Sequence, residues 1–327
     1  MFRVLRTITF MTLCLSGIAT GSPVYGQEVW PARSLNLIVP FAPGGSTDVI
    51  ARVIADAMRP ILGQSVLIDN RAGAGGSTGT AAIAKAAPDG YTIGMGTAST
   101  LAINPAVYRS LPYDVTIDLA PITNLASVPN IMAINPQLPP RNMAEFIAYA
   151  KAQANGLTYA SAGVGSVSHL MGEQFSMATS TRLVHVPYRG VGPALADVVA
   201  GHVQVMYDNL PTTLPMVQSG KLRALAVSSQ KRLSVLADVP AFAELGLQDL
   251  DWVAFFGLVA PAGTPAAIIR KLNDAARLAL LQPDVGEKLA SQQAQAIGNS
   301  PQDFAEEIAR ELARHRRAAA AANIKIE

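Results

Sequence analysis

Short apolar runs, each broken by a Gly, Ser or Pro turn and followed by an amphipathic stretch, set the rhythm of this chain. LNLIV at residues 35–39 reads as a first strand, which residues 40–45 (PFAPGG) break. In the helix that follows, Val49/Ile50, Val53/Ile54, Ala57/Met58 and Ile61/Leu62 recur every four residues, one apolar face at the helical period. Pro60 bends or ends that helix, and Gly63 is a natural stop. Residues 65–68 form the next strand. A glycine-rich segment at 73–79 and an alanine-rich helix follow, before a Pro88-Asp89-Gly90 turn and a third strand at 91–96. Strand patterns return at 157–161, 183–186, 203–207 and 222–227, with helical patterns between them. A late strand covers 252–259, and Ser300-Pro301-Gln302-Asp303 has the chemistry of a helix start.

Alternating strands and helices imply an α/β fold whose mostly parallel sheets carry helices on both faces. The length suits two such lobes better than one domain. The run 252–259 reads as a buried strand with no partner run beside it in sequence. The chain is therefore expected to cross between lobes near Ala126 and again near Leu250. Residues 27–125 plus 251–327 would form lobe one and residues 126–250 lobe two. No short-period repeat is visible, so a solenoid is excluded.

The first 26 residues follow a different plan. Arg3 and Arg6 precede a dozen mostly apolar residues at 8–19, and Val24-Tyr25-Gly26 offers small residues for cleavage. This is a secretory signal peptide, cut near Gly26, and its apolar run is too short to span a bilayer. Cys14, the single cysteine, lies within it, and the bulky Leu13 before it argues against a lipid anchor. The mature chain then has no thiol for a disulfide, a nucleophile or a metal. The whole chain has 25 Lys+Arg against 23 Asp+Glu; without Arg3 and Arg6 the mature chain has 23 of each. Such a balance is unlike a nucleic-acid-binding surface.

Ligands of open α/β sheets bind beyond the carboxyl ends of strands, where helix N-termini converge. After the first strand stand Phe41, Ala42, Gly44, Gly45 and Asp48, in a loop whose glycines let backbone N–H groups point outward. It is either an anion site or an ordinary strand–helix turn in which Asp48 supports the helix dipole. Thr97 and Ser99 follow the third strand. Ala162, Gly163, Gly165 and Ser166 follow a strand in mid-chain, with His169 about one turn into the next helix. Asp208 and Asn209 follow the strand at 203–207. The recurrence of small polar residues at four strand ends carries more weight than any one of them.

Other chemistries find little support. The glycines at 73–79 are spaced one residue too long for a dinucleotide loop, and a close-packed turn is the better reading. His169, His185, His202 and His315 include no pair with zinc-ligand spacing, and there is no G-x-S-x-G elbow. His185 alternates with apolar neighbours in a strand and reads as a satisfied histidine. Arg189, in HVPYRG at 185–190, is either a bidentate carboxylate clamp or a solvated loop charge.

The stretches WPARSLNLIVPFAPGGSTD (30–48), DNRAGAGG (69–76), AAPDGYT (86–92), LPYD (111–114), HVPYRG (185–190), KLRALAV (221–227), DVP (238–240) and APAGTP (260–265) occur in one order across nearly the whole mature chain. With them the chain resembles the solute receptors of the tripartite tricarboxylate transporters, the Bug receptors. The resemblance implies a two-lobe periplasmic-binding-protein fold of type II that closes on a dicarboxylate or related acid and hands it to membrane subunits. It places the family's ligand loops on residues 41–48, 97–99, 162–166 with His169, and Asp208 with Asn209. Ala241, where the family usually carries Thr, is a departure. The reading is a monomeric periplasmic receptor, with no cofactor, metal or nucleic acid. The competing class is a secreted enzyme on the same scaffold, because fold does not fix function.

Overall fold

The computed structural model describes residues 30–321, 325 and 326; the signal-peptide reading of residues 1–26 lies outside them. From the amino end come β1 (Leu35–Val39), α1 (Ser46–Leu62), β2 (Val66–Asn70), α2 (Ser77–Ala84), β3 (Thr92–Thr97) and the short α3 (Asn104–Val107). A 16-residue strand, β4 (Leu119–Ile134), leads to α4 (Met143–Ala152), β5 (Leu157–Ser161), α5 (Val167–Thr179) and β6 (Leu183–Pro187). Next are α6 (Val191–Ala200), β7 (Val205–Asn209), α7 (Leu210–Gln218) and β8 (Arg223–Val227). The chain closes with β9 (Val253–Pro261), α8 (Ala266–Leu280), α9 (Pro283–Ser291), β10 (Gln295–Ala296) and α10 (Pro301–Ala321).

The strands form one curled mixed sheet in the order β2-β1-β3-β9-β4-β7-β5-β6, with β8 and β10 also on β4. Its two ends are parallel, β2-β1-β3 and β7-β5-β6, as strand–helix alternation requires. Between them β9 and β4 run antiparallel to their neighbours. β4 is the element that the hydrophobic pattern does not announce, because Pro121 and Pro129 interrupt it. Neither disrupts it in fact. The ladder with β9 shifts register just after Pro121, and Pro129 faces Val253 at the very start of β9. From Leu119 to Pro129 the partner of β4 is β9; from Asn130 onward its partners are β7 and β8.

α1 shows how far local sequence dictates structure. Its fourfold apolar repeat is buried at Ile50, Ile54, Met58 and Leu62, while Pro60 is tolerated in the last turn. Gly63 ends the helix in the left-handed region (φ 70°), its N–H bonding to the Arg59 carbonyl. The main core joins Leu101, Phe255 and Phe304 on one side to Phe146, Tyr159, Phe175 and Tyr207 on the other. Phe175 and Tyr159 both lie within 6.0 Å of Tyr207, ring centre to ring centre.

Candidate ligand-binding site

A small cavity of about 30 Å³ lies where the carboxyl ends of β1, β3, β5 and β7 face one another. By the criterion of one water per 10–15 Å³ it has room for roughly two waters. Phe41, Gly45, Ser46 and Thr47 line it from the β1–α1 loop, and Thr97, Ala98 and Ser99 from the end of β3. Ala162, Ser166, Val167 and Ser168 enter from the start of α5, Val191 from α6, and Asp208 with Asn209 from the end of β7. Asn130 and Ala254 to Phe256 complete the wall.

The segments that follow β1, β5, β6 and β7 each start a helix, so backbone N–H groups converge on the cavity. Gly45 and Asn209 occupy the N-cap positions of α1 and α7 without a side-chain cap bond, which leaves first-turn donors for another acceptor. At α5 the Ser166 side chain does cap, accepting from the His169 N–H at 3.3 Å. The loop before it is braced internally, since Ser168 Oγ accepts from the Ala162 N–H at 2.9 Å and Ser166 Oγ donates to the Gly163 carbonyl at 2.7 Å. Asn130 ties the back wall together. Its backbone N–H donates to Ser228 Oγ at 2.6 Å, its side-chain amide donates to the Trp252 carbonyl, and its Oδ1 accepts from Asn209 Nδ2 at 2.6 Å.

Hydrogen bonds also tie the segments around the cavity to one another. The Val167 N–H donates to Ser99 Oγ at 3.1 Å, Tyr108 donates to the Val164 carbonyl at 2.9 Å, and Ser46 Oγ lies 2.6 Å from Thr212 Oγ1. The β1–α1 and β6–α6 loops meet where the Ala42 N–H reaches the Arg189 carbonyl at 3.4 Å. Phe41, Gly45, Thr97, Ser99, Ala162, Ser166, Asp208 and Asn209, all marked by the sequence reading, thus line one cavity.

Ala42, Gly44, Asp48, Gly163, Gly165 and His169 do not reach the cavity surface. Asp48 turns back onto its own helix, where Arg52 holds it through Nε at 3.0 Å and Nη2 at 2.9 Å. Asn70 Nδ2 and the Gly44 N–H complete its shell at 3.0 and 3.1 Å. Burial opposes ionisation, yet the bonds from Arg52, Gly44 and Asn70 hold this carboxyl below its usual range. Gly44 (φ 86°) gives its N–H to that shell. Gly165 (φ 80°) sits where a side chain would collide with Tyr108 and Asn104.

His169 points into α5, its Nδ1 accepting from the Gly165 N–H at 3.1 Å, and its ring stacks on His185 with 4.0 Å between centres. His185 Nε2 is 2.5 Å from Ser161 Oγ, a nucleophile–base geometry that only 1 % exposure of Ser161 puts out of reach of a substrate. Burial first, then the neighbouring His169, pushes the His185 imidazole down to about 3, and burial lowers His169 too. Arg189 is exposed and lines no part of the cavity. Among the described residues no three His, Cys, Asp or Glu side chains gather as a metal site.

Ser46, Thr47 and Ala98 fall inside loops already marked by the sequence, whereas Val167, Ser168 and Val191 lie just beyond the marked residues. Asn130 and Ala254 to Phe256 carry no local signal, because they sit within strands whose only mark is apolarity.

The profile of the tripartite tricarboxylate transporter family receptor matches residues 50–324. Protein BugT of Bordetella pertussis is 39 % identical over 315 residues, covering 96 % of this chain and 95 % of its own. The structure of the periplasmic binding protein BugD superimposes with a TM-score of 0.88 at 33 % identity, over 91 % of this chain and all of that one. MatC of Rhodopseudomonas palustris, with bound malate, gives 0.85 at 35 % identity over 88 % of this chain and 99 % of its own. The fold is that of the periplasmic binding proteins, as in BugD. This chain belongs to the tripartite tricarboxylate transporter receptor family.

Proposed function

We propose that the protein is an extracytoplasmic receptor that captures a small di- or tricarboxylate, or a related organic acid, in this cavity. It then delivers the acid to the membrane subunits of a tripartite tricarboxylate-type transporter. The observation that carries this reading is the convergence of the N-termini of α1, α5 and α7, with hydroxyls from Ser46, Thr47, Thr97 and Ser99, on a cavity into which, among the described residues, no cation projects. Such a lining holds an anion by dipoles and neutral hydrogen bonds. Neutral donors suit a receptor that must release its cargo, whereas a buried Arg–carboxylate clamp would hold it more tightly, truncation of such a pair costing about 2–5 kcal/mol. Malate in the related MatC supports the choice of ligand class.

The division into two lobes, residues 27–125 plus 251–327 against 126–250, belongs to the same proposal, as do the cleaved signal peptide, the periplasmic location and the monomeric state. On that division the hydrogen bonds around the cavity join the two lobes, and a four-carbon acid enters only when the lobes part. The test is a thermal-shift and calorimetric screen of the mature protein against succinate, malate, glutarate, adipate and citrate, with the corresponding amides as controls. A true ligand at 100 times its Kd stabilises by about 2.7 kcal/mol. A flat response to every acid refutes the reading.

A further inference from the structure

Of the residues lining the cavity, Asp208 alone has an ionisable side chain. It is the fourth residue of β7 and is 2 % exposed. Its Oδ2 accepts from Thr213 Oγ1 at 2.7 Å, whereas Oδ1 is buried and has no partner among the described residues. A buried carboxylate oxygen without a donor carries its full desolvation cost. The arrangement calls for a partner to arrive.

The surroundings decide what kind. β4 and α7, packed on β7, carry no ionisable side chain at all. β7 itself and β5 contribute Tyr207 and Tyr159, α5 contributes His169 and Glu173, and α6 contributes Asp197. None is a Lys or Arg. Arg223, on β8, spends its guanidinium on the carbonyls of Leu138, Pro140 and Pro136, and Arg52 serves Asp48. Burial pushes the Asp208 carboxyl up to about 7, opposed only by Thr213 and by the Asn209 N–H. An anion in the same cavity raises it further, because two like charges cannot share a dry site.

We propose that Asp208 binds the ligand as a neutral carboxylic acid, its Oδ1–H donating to a carboxylate oxygen of the captured anion. The hydroxyl of Thr213 already donates to Oδ2, so the proton belongs on Oδ1. Capture above neutral pH then takes up one proton, and release of the ligand returns it. This rests on the carboxylate-receptor reading and sharpens its ligand class. The ligand must present an acceptor to Asp208, which plain and hydroxy dicarboxylates do. An ammonium group at that point would need Asp208 ionised.

Two arms test it. Without ligand, thermal unfolding of the mature protein is compared with that of Asp208→Asn from pH 5 to 9. A group whose folded value is raised contributes stability on the acid side and loses it as pH rises through about 7. The wild type must therefore lose stability relative to the variant from pH 5 to about 7 and run parallel to it above; curves already parallel from pH 5 to 7 overturn the proposal whatever the ligand. With ligand, calorimetry of succinate and malate in buffers of different ionisation enthalpy counts protons. Uptake approaching one proton at pH 8–9 is expected, with Kd rising by up to about tenfold per pH unit above 7. Asp208→Asn, whose amide donates but does not titrate, should bind with no linked proton and a flat pH profile. Asp208→Ala should be at least about tenfold weaker at pH 6. Succinate binding without proton uptake overturns the proposal. So does glutamate binding that strengthens from pH 6 to 8 and is lost in Asp208→Asn. If no acid binds at all, the receptor reading falls with the ligand half of this one, while the ligand-free arm still decides where the proton resides.

Discussion

Ser46 Oγ and Thr212 Oγ1 lie 2.6 Å apart, so the first turn of α1 is fastened to α7 across a sequence separation of 166 residues. Ser46 lines the cavity, and Thr212 does not. Thr212→Val keeps the shape and removes the partner, at a cost of about 1 kcal/mol. Ligand affinity should fall up to about fivefold, and small-angle scattering should show a slightly larger radius of gyration without ligand. An unchanged affinity would make the contact incidental.

Asp48 and Arg52 form a device of α1 rather than a ligand contact. Arg52→Ala should destabilise the fold by about 1.5–3 kcal/mol, since it strips charge-assisted bonds from a buried carboxylate. Because the folded carboxyl is held below its unfolded value, its contribution is present above about pH 4 and disappears as the pH falls further. Asp48→Asn should flatten the acid limb of stability in a melting series from pH 5 to 2.5, while changing ligand affinity little. A large loss of affinity at neutral pH would return Asp48 to the site.

The stacked pair His169 and His185 should make the protein acid-sensitive at higher pH. Both imidazoles are held neutral in the fold, so the unfolded chain binds protons first as the pH drops below about 6.5. Stability is then lost progressively towards about pH 3. His185→Phe keeps a ring against His169 but cannot take the proton. Its melting temperature should be lower at pH 8, where the Ser161 bond is missing, and less steep between pH 6 and 4. A slope equal to that of the wild type would assign the acid loss to other groups.

Gly165 and Gly44 separate collision from conformation. Both hold φ near 80–86°, but an added Cβ at Gly165 strikes Tyr108 and Asn104, whereas at Gly44 it meets nothing within 4 Å. Gly44→Ala should cost about 1–2 kcal/mol of backbone strain alone. Gly165→Ala should cost more and should also weaken binding, by displacing the loop that carries Ser166. Chemical denaturation with calorimetry reads both; equal costs would contradict the contact.

Arg189→Ala tests the absence of a clamp. The side chain is exposed, and only its carbonyl touches the β1–α1 loop. Affinity for the identified ligand should change by less than tenfold, below about 1.4 kcal/mol. A hundredfold loss would mean that the guanidinium reaches the anion.

The sequence alone determined the strand–helix rhythm, because β1, β5 and the apolar face of α1 are written in runs a few residues long. It also determined which loops could carry donors, because glycine and small hydroxyl residues at strand ends are local features. Tertiary structure decided the rest. Asp48 and His169 stand in the first turns of α1 and α5, yet their side chains are engaged by Arg52, Asn70 and Gly165, partners that motif spacing does not reveal. Asn130 entered the site from β4, a strand hidden by its prolines and defined only by its pairing with β9, β7 and β8. Asp208 was legible as a strand-end residue, but its protonation was not. A carboxyl is neutral or charged according to its burial and its neighbours, and both come from segments distant in the chain.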